Sequence, residues 1–488
     1  MSFALSEAVN PLKVFTVQKT KIIGRWDPHF HSPRFGGLDF ELNAIDAKPI
    51  RDVARSIFSG ITPLSGGDAY ANAPEGVAFV RSGDFNEDGT INEDALIYLK
   101  PEIHQKLMRR SQLKAFDILF AIVGATIGKV GIFPGGYEAN INQAVCAVRL
   151  TEAILPHFLH AFFLTRLGQE QIERAKRPVA RANINLEEVG TLRVPIVDKK
   201  IQAIVVEALK RAFAQKLETE AKASQLLATI DDILLDELGV SRQPEPPNTL
   251  GSRIFKSSFV ALSNQGQRWD PLYHQADMFA FVREAKCGLQ QIGDKVDYFI
   301  TGFPAGRSEQ ADVDYGRIIQ IRPTNLSNDR ELVFTRNVYI ASSELKHRKS
   351  DILKRNEVLF NNTNSQEQVG KTVWFDLEGN YFSSNHITRI GTKSGELNPQ
   401  YLAYILNFYQ RKKVFFKLCT NWNNQSGVSS NILKRIPIPL PNLVRQTEIV
   451  MRLDTIHAKA HTLREQARAD LEEAKREIET LILGNEDS

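Results

Sequence analysis

The chain has 488 residues, too many for a single hydrophobic core, and length alone predicts two to four domains. Its 42% hydrophobic and 24% charged residues are ordinary for a globular protein and argue against long disorder, while a net charge of +4 is compatible with nucleic acid without requiring it. Three cysteines, Cys146, Cys287 and Cys419, stand far apart with no CxxC spacing, which argues against a disulfide framework or zinc knuckle and favours a reducing cytoplasm.

In chain order, the first 21 residues lack a basic start followed by an apolar block, so no signal peptide is expected. No run approaches the roughly 18–20 apolar residues that span a bilayer, so no membrane partner is expected. Arg25-Trp26-Asp27-Pro28 follows, with an aromatic at Phe30; a rigid Trp and Pro there are expected to anchor the domain to a long helix rather than to contact DNA. A mixed region comes next, with strand-like pieces such as Val77-Ala78-Phe79-Val80 punctuated by Gly, Asn and Asp. It closes with Val194-Pro195-Ile196. A helix is predicted from about Lys199 to Leu238, with Ile201, Val205, Leu209, Phe213, Ile230 and Leu234 on its apolar positions and Gly239 as its stop. Pro244, Pro246 and Pro247 mark an extended linker.

The chain then repeats itself. Arg268-Trp269-Asp270-Pro271, with Tyr273, returns at an offset of about 243 residues. Ser59-Gly60 answers Thr301-Gly302, Ile118-Leu119-Phe120 answers Val358-Leu359-Phe360, and Ile127-Gly128-Lys129 answers Val369-Gly370-Lys371. Asn142-Gln143 is matched to Asn385-His386, Val194-Pro195-Ile196 to Ile438-Pro439-Leu440, and Gln202 to Gln446. The landmarks keep their order and drift by only a few residues, as loop insertions would make them. A second helix is predicted from about Val444 to Leu483, its apolar positions from Ile449 to Leu481 stepping by about 3.6 and Gly484 following. Each helix would span roughly 60 Å, more than a domain of this size needs for its own core. The pair is expected to lie antiparallel as a coiled-coil-like spacer between two mixed domains. The partition is residues 1–195, helix 196–240, linker 241–255, residues 256–440 and helix 441–488, an α+β protein in tandem repeat.

Several strings imitate catalytic motifs. Gly124-Ala-Thr-Ile-Gly128-Lys129 is one residue short of a phosphate loop, and Val130 stands where Ser or Thr would hold magnesium. Asn398-Pro399-Gln400-Tyr401 resembles an adenine-methyltransferase motif, but Gln400 breaks it and a helix-start proline explains it better. His457 and His461 lack the glutamate of HExxH. No catalytic residues, cofactor site or metal site are therefore expected in this chain.

The elements Ser59-Gly60-Ile61-Thr62-Pro63, Val80-Arg81-Ser82-Gly83-Asp84, Asp117 to Lys129, Asn140 to Gln143 and Val194-Pro195-Ile196, followed by a long helix and duplicated once, carry a family likeness. The chain resembles the specificity subunit of Type I restriction–modification systems over nearly its whole length. That resemblance implies two target-recognition domains, each reading one half of a split double-stranded DNA target, with the helices as a ruler. It implies no chemistry in this subunit. S-adenosylmethionine would sit on two partner methyltransferase subunits, and ATP and Mg on partner restriction subunits that translocate DNA. A fused methyltransferase or nuclease, or a coiled-coil scaffold for proteins alone, are the competing readings.

Base edges are read by Arg, Asn and Gln, and phosphates by Lys, Arg, Ser and Thr. On that chemistry the candidate DNA contacts of the first domain are Ser59, Thr62, Arg81, Ser82, Asp84, Thr126, Lys129, Asn142, Gln143, Arg177, Arg181 and Asn183. Those of the second are Thr301, Arg322, Thr324, Asn325, Asn361, Thr363, Asn364, Lys371, Asn385, His386, Asn421, Trp422 and Asn423. Turn and capping chemistry explains any one of them equally well. The Asn421-Trp422-Asn423-Asn424-Gln425 string suits adenine readout or a flexible loop.

Overall fold

The structure, a computed structural model, describes residues 14–22, 25–64, 67–73, 75–177, 182–241, 249–254, 256, 258, 271–274, 278–310, 318–423 and 425–484. The linker prolines Pro244, Pro246 and Pro247, the second Arg268-Trp269-Asp270 and the candidate Arg181 lie outside these residues. The chain divides into two units, Met1–Glu220 with Arg464–Ser488, and Ala221–Leu463. Each is a mixed α+β body that contains one end of each long helix; the helices run Lys199–Leu238 and Leu443–Leu483.

The first unit holds β1 (Ala47–Pro49), β2 (Ala54–Ser59), β3 (Tyr70–Ala71), β4 (Val77–Val80), β5 (Ile97–Leu99), β6 (Ile118–Ala121), β7 (Val130–Ile132), β8 (Ala139–Ile141), β9 (Val145–Leu150) and β10 (Arg193–Pro195). They form sheets in the orders β2-β9-β6-β7 and β3-β5-β4-β8, with β1 paired to β10. β6 shows why its sequence is an unbroken apolar run. Ile118 and Phe120 enter a core with Phe158, Phe162, Val205, Leu209, Ile478 and Ile482, while Leu119 and Ala121 enter another with Val80, Phe85 and Phe133. A strand buried on both faces has no polar alternation to show. Within this unit the first turns of one long helix pack beside the last turns of the other, so the two run antiparallel there.

The second unit holds β11 (Leu289–Gln291), β12 (Val296–Thr301), β13 (Ile318–Ile321), β14 (Val338–Ile340), β15 (Glu357–Asn361), β16 (Thr363–Asn364), β17 (Thr372–Phe375), β18 (Tyr381–Ser383), β19 (Ile387–Thr392), β20 (Thr420–Trp422), β21 (Gln425–Gly427) and β22 (Pro437–Pro439). The order β12-β19-β15-β17 repeats β2-β9-β6-β7, and β14-β13-β18 repeats β5-β4-β8. Ile230, Leu234 and Leu238 share a core with Ile449, Leu453 and Val358, so here too the helices run antiparallel. The strand register corrects one detail of the repeat. Ser59 pairs with Cys146 and Thr301 with Thr388. The turn bonds Val145 N to Asn142 O, 3.2 Å, and Ile387 N to Ser384 O, 2.9 Å, then place Asn142 opposite Ser384 and Gln143 opposite Asn385. The sequence match of these two was one residue out.

Three devices recur in both units. Gln202 accepts from Leu155 N at 2.8 Å and donates to Val197 O; Gln446 accepts from Asn398 N at 2.8 Å and donates to Glu396 O and Pro441 O. Each buried amide clamps the start of a long helix to the start of a shorter one, Pro156–Leu164 or Pro399–Arg411. Asp117 holds Arg149 through two bonds of 2.9 and 2.7 Å and caps Lys114 N; Glu357 caps Lys354 N in the same way and faces Arg389 across a looser ion pair of 3.4 Å. Gly239 and Gly484 end the long helices with φ of +67° and +70°, a conformation open to glycine. Asn398 caps its helix through bonds from Gln400 N and Tyr401 N, with Pro399 in the first turn, which is helix-start chemistry.

The expectation for Trp26 fails. Trp26 is 79% exposed, and the anchor is its neighbour Arg25. The Arg25 guanidinium bonds Ala175 O at 2.7 Å, Lys176 O at 3.2 Å and Glu188 at 3.0 Å, capping the helix Arg166–Ala175. A fork of donors satisfies helix-end carbonyls that an indole cannot. No helix among the described residues is long and apolar enough to cross a membrane.

Candidate nucleic-acid interface

In the first unit β2, β4, β6 and β8 all finish, and β7 and β9 begin, at one edge. Main-chain bonds join the loops there: Gly60 N to Asn142 O at 3.3 Å, Ile122 N to Ala144 O at 2.9 Å, Ile184 N to Ile122 O at 2.9 Å, and Gly124 N to Ala182 O at 2.9 Å. Gly60 permits the closest approach, since a Cβ there would lie 1.6 Å from Ile141 O. Thr126 Oγ1 donates to Ser82 Oγ at 2.9 Å and ties the 122–129 loop to the 81–84 turn. This edge gathers Ser59, Thr62, Ser82, Thr126, Lys129, Asn142, Gln143 and Asn183 in one unit of surface loops.

The same edge is built again in the second unit. Gly302 N bonds Ile387 O at 3.1 Å, Asn362 N bonds His386 O at 3.0 Å, Val428 N bonds Asn362 O at 2.9 Å, and Ser384 N bonds Ile321 O at 2.9 Å. Arg322, Thr324, Lys371, Asn385 and His386 lie on these loops, with Thr301 at the end of β12 and Thr363 and Asn364 on β16 beside them. Alongside them Asn421 and Trp422 lie on β20, which pairs with β21, and β21 pairs with β16; Asn424 of the same string lies outside the described residues. The first unit has its counterpart in the bridges Arg177↔Asn183 and Val123↔Asn183. Two stretches that share no sequence pattern therefore occupy one structural position.

The candidates divide by what their side chains already do. Asp84 is 3% exposed, Asn325 1% and Asn361 0%, so these three are corrected from contacts to framework. Asp84 accepts from Arg81 N at 2.8 Å and from its guanidinium; Asn325 accepts from Arg322 N at 3.0 Å and donates to Val333 O at 2.9 Å. Asn361 donates to Gln368 O at 3.1 Å. All three side chains are buried beyond the reach of a base edge, the unpartnered Asn361 Oδ1 included. Arg81 and Arg322 are half-buried and spend their guanidinium groups on Asp84 and on Gln320. Ser59 donates inward to Val145 O, and Asn142 accepts from Ala144 N.

The exposed candidates are Thr62, Lys129, Gln143 and Arg177 in the first unit and Thr301, Thr324, Asn385, Asn421, Trp422 and Asn423 in the second. Thr62 and Gln143 bond each other across the edge. Lys129 Nζ reaches Phe85 O at 3.0 Å, and Arg177 reaches Glu188 at 2.8 Å. Burial holds Arg322 and Lys371 below their ordinary pKa values, with Asp329 opposing the shift at Lys371. Both have a charge-desolvation cost that an arriving anionic backbone would relieve. Sequence reading passes over Thr420, exposed on the same strand as Trp422. Among the described residues no three His, Cys, Asp or Glu side chains gather as a metal would need, and His457 spends Nε2 on Asp329 O at 2.6 Å.

The sequence profile of the Type I restriction modification DNA specificity domain matches this chain twice, over residues 48–228 and 307–473. The Type I restriction enzyme EcoBI specificity subunit of Escherichia coli is 29% identical over 160 residues, a match spanning 33% of this chain and 33% of that protein. The StySPI specificity subunit of Salmonella potsdam is 20% identical over 378 residues, 75% of this chain and 73% of its own. The solved S subunit of a Type I system from M. genitalium is 11% identical, covering 90% of this chain and 96% of that one with a TM-score of 0.38. With both halves matched by the same profile, the chain belongs to the Type I restriction–modification DNA specificity family.

Proposed function

We propose that this chain is the DNA-reading subunit of a Type I restriction–modification complex. Each unit reads one half of a bipartite double-stranded target through its loop edge. The chain itself performs no chemistry. Two methyltransferase subunits carry S-adenosylmethionine and methylate adenine, and restriction subunits supply ATP- and Mg-dependent translocation and cleavage. The complex works in the cytoplasm. The observation that carries this reading is the duplicated edge, in which one backbone framework displays two different sets of hydrogen-bonding side chains. That is what two sequence readers on one scaffold require, because bases are distinguished by donor and acceptor pattern while the supporting fold stays constant.

The test is to co-express the chain with its methyltransferase partner and map modified bases across a genome by long-read sequencing. A bipartite adenine motif with a fixed gap is expected, and exchanging residues 290–435 for those of a relative should change one half alone. A stable complex that yields no motif would overturn the reading in favour of a protein scaffold. Methylation by the chain without a partner would reveal a catalytic site of its own.

A further inference from the structure

The hairpin of the second unit has a feature that turn chemistry does not explain. Thr420, Asn421 and Trp422 are all exposed, and Trp422 keeps 45% of its surface in solvent. Its indole lies across the next strand: a Cβ on Gly427 would sit 2.3 Å from Cη2 and 3.0 Å from Cζ3. Only glycine lets the ring lie so close. One part of the indole is thus seated on backbone while the rest faces outward. The seat is stiffened on either side. Asn421 Oδ1 accepts from Ser426 Oγ at 2.6 Å, and Asn423 turns the chain with φ of +40°.

Covering a glycine on a neighbouring strand is a known stabilising use of an aromatic. The outward face needs a separate account. Its surroundings are polar: Thr420, Asn421, Asn423 and Gln425 are exposed, and Thr363 and Asn364 are half-buried. A lone π-face in a ring of amides and hydroxyls does not match an apolar protein partner, which would want contiguous aliphatic surface. It matches a nucleobase, whose flat face stacks on aromatics while its edges take hydrogen bonds.

We infer that Trp422 stacks on a base of the half-site read by the second unit, partly unstacking it from its neighbour in the duplex. The inference rests on the proposed DNA-reading function and adds a specific residue and contact mode to it. Aromatic insertion at a base step costs stacking in the duplex and is repaid by contact with the protein, which makes easily unstacked steps the preferred ones. At the corresponding position of the first unit Arg177 is bridged to Asn183 and neither is aromatic, so the stacking is asymmetric between the two half-sites.

The test uses the full chain in complex with its methyltransferase partner. Duplexes carry the motif found by methylation mapping, with 2-aminopurine placed in turn at each position of the second half-site. The wild-type complex should raise 2-aminopurine fluorescence at one position, the sign of a base leaving its stack. W422F should keep most of that rise. W422A and W422L should abolish it and weaken binding roughly five- to a hundredfold, the loss expected for one stacked aromatic. Thermal melting of W422L checks that the hairpin remains covered. A rise that persists in W422L, unchanged affinity in W422A, or no rise at any position with the wild type would overturn the stacking while leaving the mapped motif intact. A wild-type complex that selects no motif would overturn the DNA-reading function and the stacking together.

Discussion

The two buried carboxylate–arginine pairs make a graded prediction. Asp117 is 1% exposed and its partner Arg149 25%, while Glu357 and Arg389 are 2% and 1% exposed. Removing one partner of a buried pair costs about 3–5 kcal/mol, because the survivor is left charged in a poor solvent. In D117A the guanidinium of Arg149 keeps access to water and a bond to Gln112 O at 3.2 Å, so the loss falls near the low end, about 3 kcal/mol. In E357A the Arg389 guanidinium is cut off from solvent, and although it keeps bonds to Ile352 O and Ser350 O at 3.3 and 3.2 Å, its Nε has no partner. The Tyr298 hydroxyl also loses its 2.8 Å acceptor. The loss should approach the upper end, about 5 kcal/mol. With a urea slope of about 3 kcal/mol/M, the midpoint should fall by about 1 M for D117A and more for E357A. Unfolding followed by circular dichroism, with hydrogen exchange to report which unit opens first, measures both. The double variants D117A/R149M and E357A/R389M should recover much of the loss, since an uncharged pair has nothing to desolvate. A loss below about 1 kcal/mol in E357A, or a larger loss in D117A than in E357A, would refute the argument from burial.

Other perturbations read other parts of the structure. Q446L leaves Asn398 N without its acceptor and should destabilise by about 2 kcal/mol in urea melts, and Q446E, which keeps that acceptor but buries a carboxylate against Glu396 O and Pro441 O, should cost at least as much. N325A should lower stability by about 1–3 kcal/mol yet leave the methylated motif unchanged, because its amide closes a buried turn. Q143A should leave the melting temperature unchanged but relax one base of the first half-site, at about 1–3 kcal/mol of discrimination, in methylation maps. Burial holds His160 down at about 4, against about 6.5 in the unfolded chain, so the unfolded state binds the extra proton. Its contribution is complete above about pH 6.5 and is lost as pH falls toward 4, about 3 kcal/mol in all, and H160Q should flatten that acid limb in a pH series of melts.

Much of this architecture was legible because it is written in local periodicity. The steps of three and four from Ile449 to Leu481 are enough to give the second long helix, which begins at Leu443, and the run Ile118-Leu119-Phe120 announces a strand with two buried faces. The duplication was legible because core residues must recur where the same sheet is built twice. What stayed hidden depends on partners far away in sequence. Asp84 and Asn325 look like polar loop residues until the turn closes over them, and Arg149 finds Asp117 only when β9 pairs with β6. Trp26 was misread because an indole beside a proline suggests packing, whereas the carbonyls needing partners at Ala175 and Lys176 call for Arg25. The one-residue error at Asn142 arose from matching Asn to Asn when the ladder, not the side chain, sets the register.

The division between bonds made by backbone and bonds made by side chains explains how one scaffold can carry two readouts. Ile122 and Asn362 share no chemistry, yet the main chain of each accepts from the hairpin and donates to the β9 or β19 turn: Ile184 N to Ile122 O and Ile122 N to Ala144 O, Val428 N to Asn362 O and Asn362 N to His386 O. None of these bonds depends on which side chain is present. The side chains at the edge are thereby released from holding the fold, and only the few that turn inward, such as Asp84, Asn325 and Asn361, are constrained. A substitution at Gln143 changes what is displayed without touching the main-chain bonds that fix the display, so surface chemistry at such exposed positions can diverge between two copies of one framework at little cost in stability.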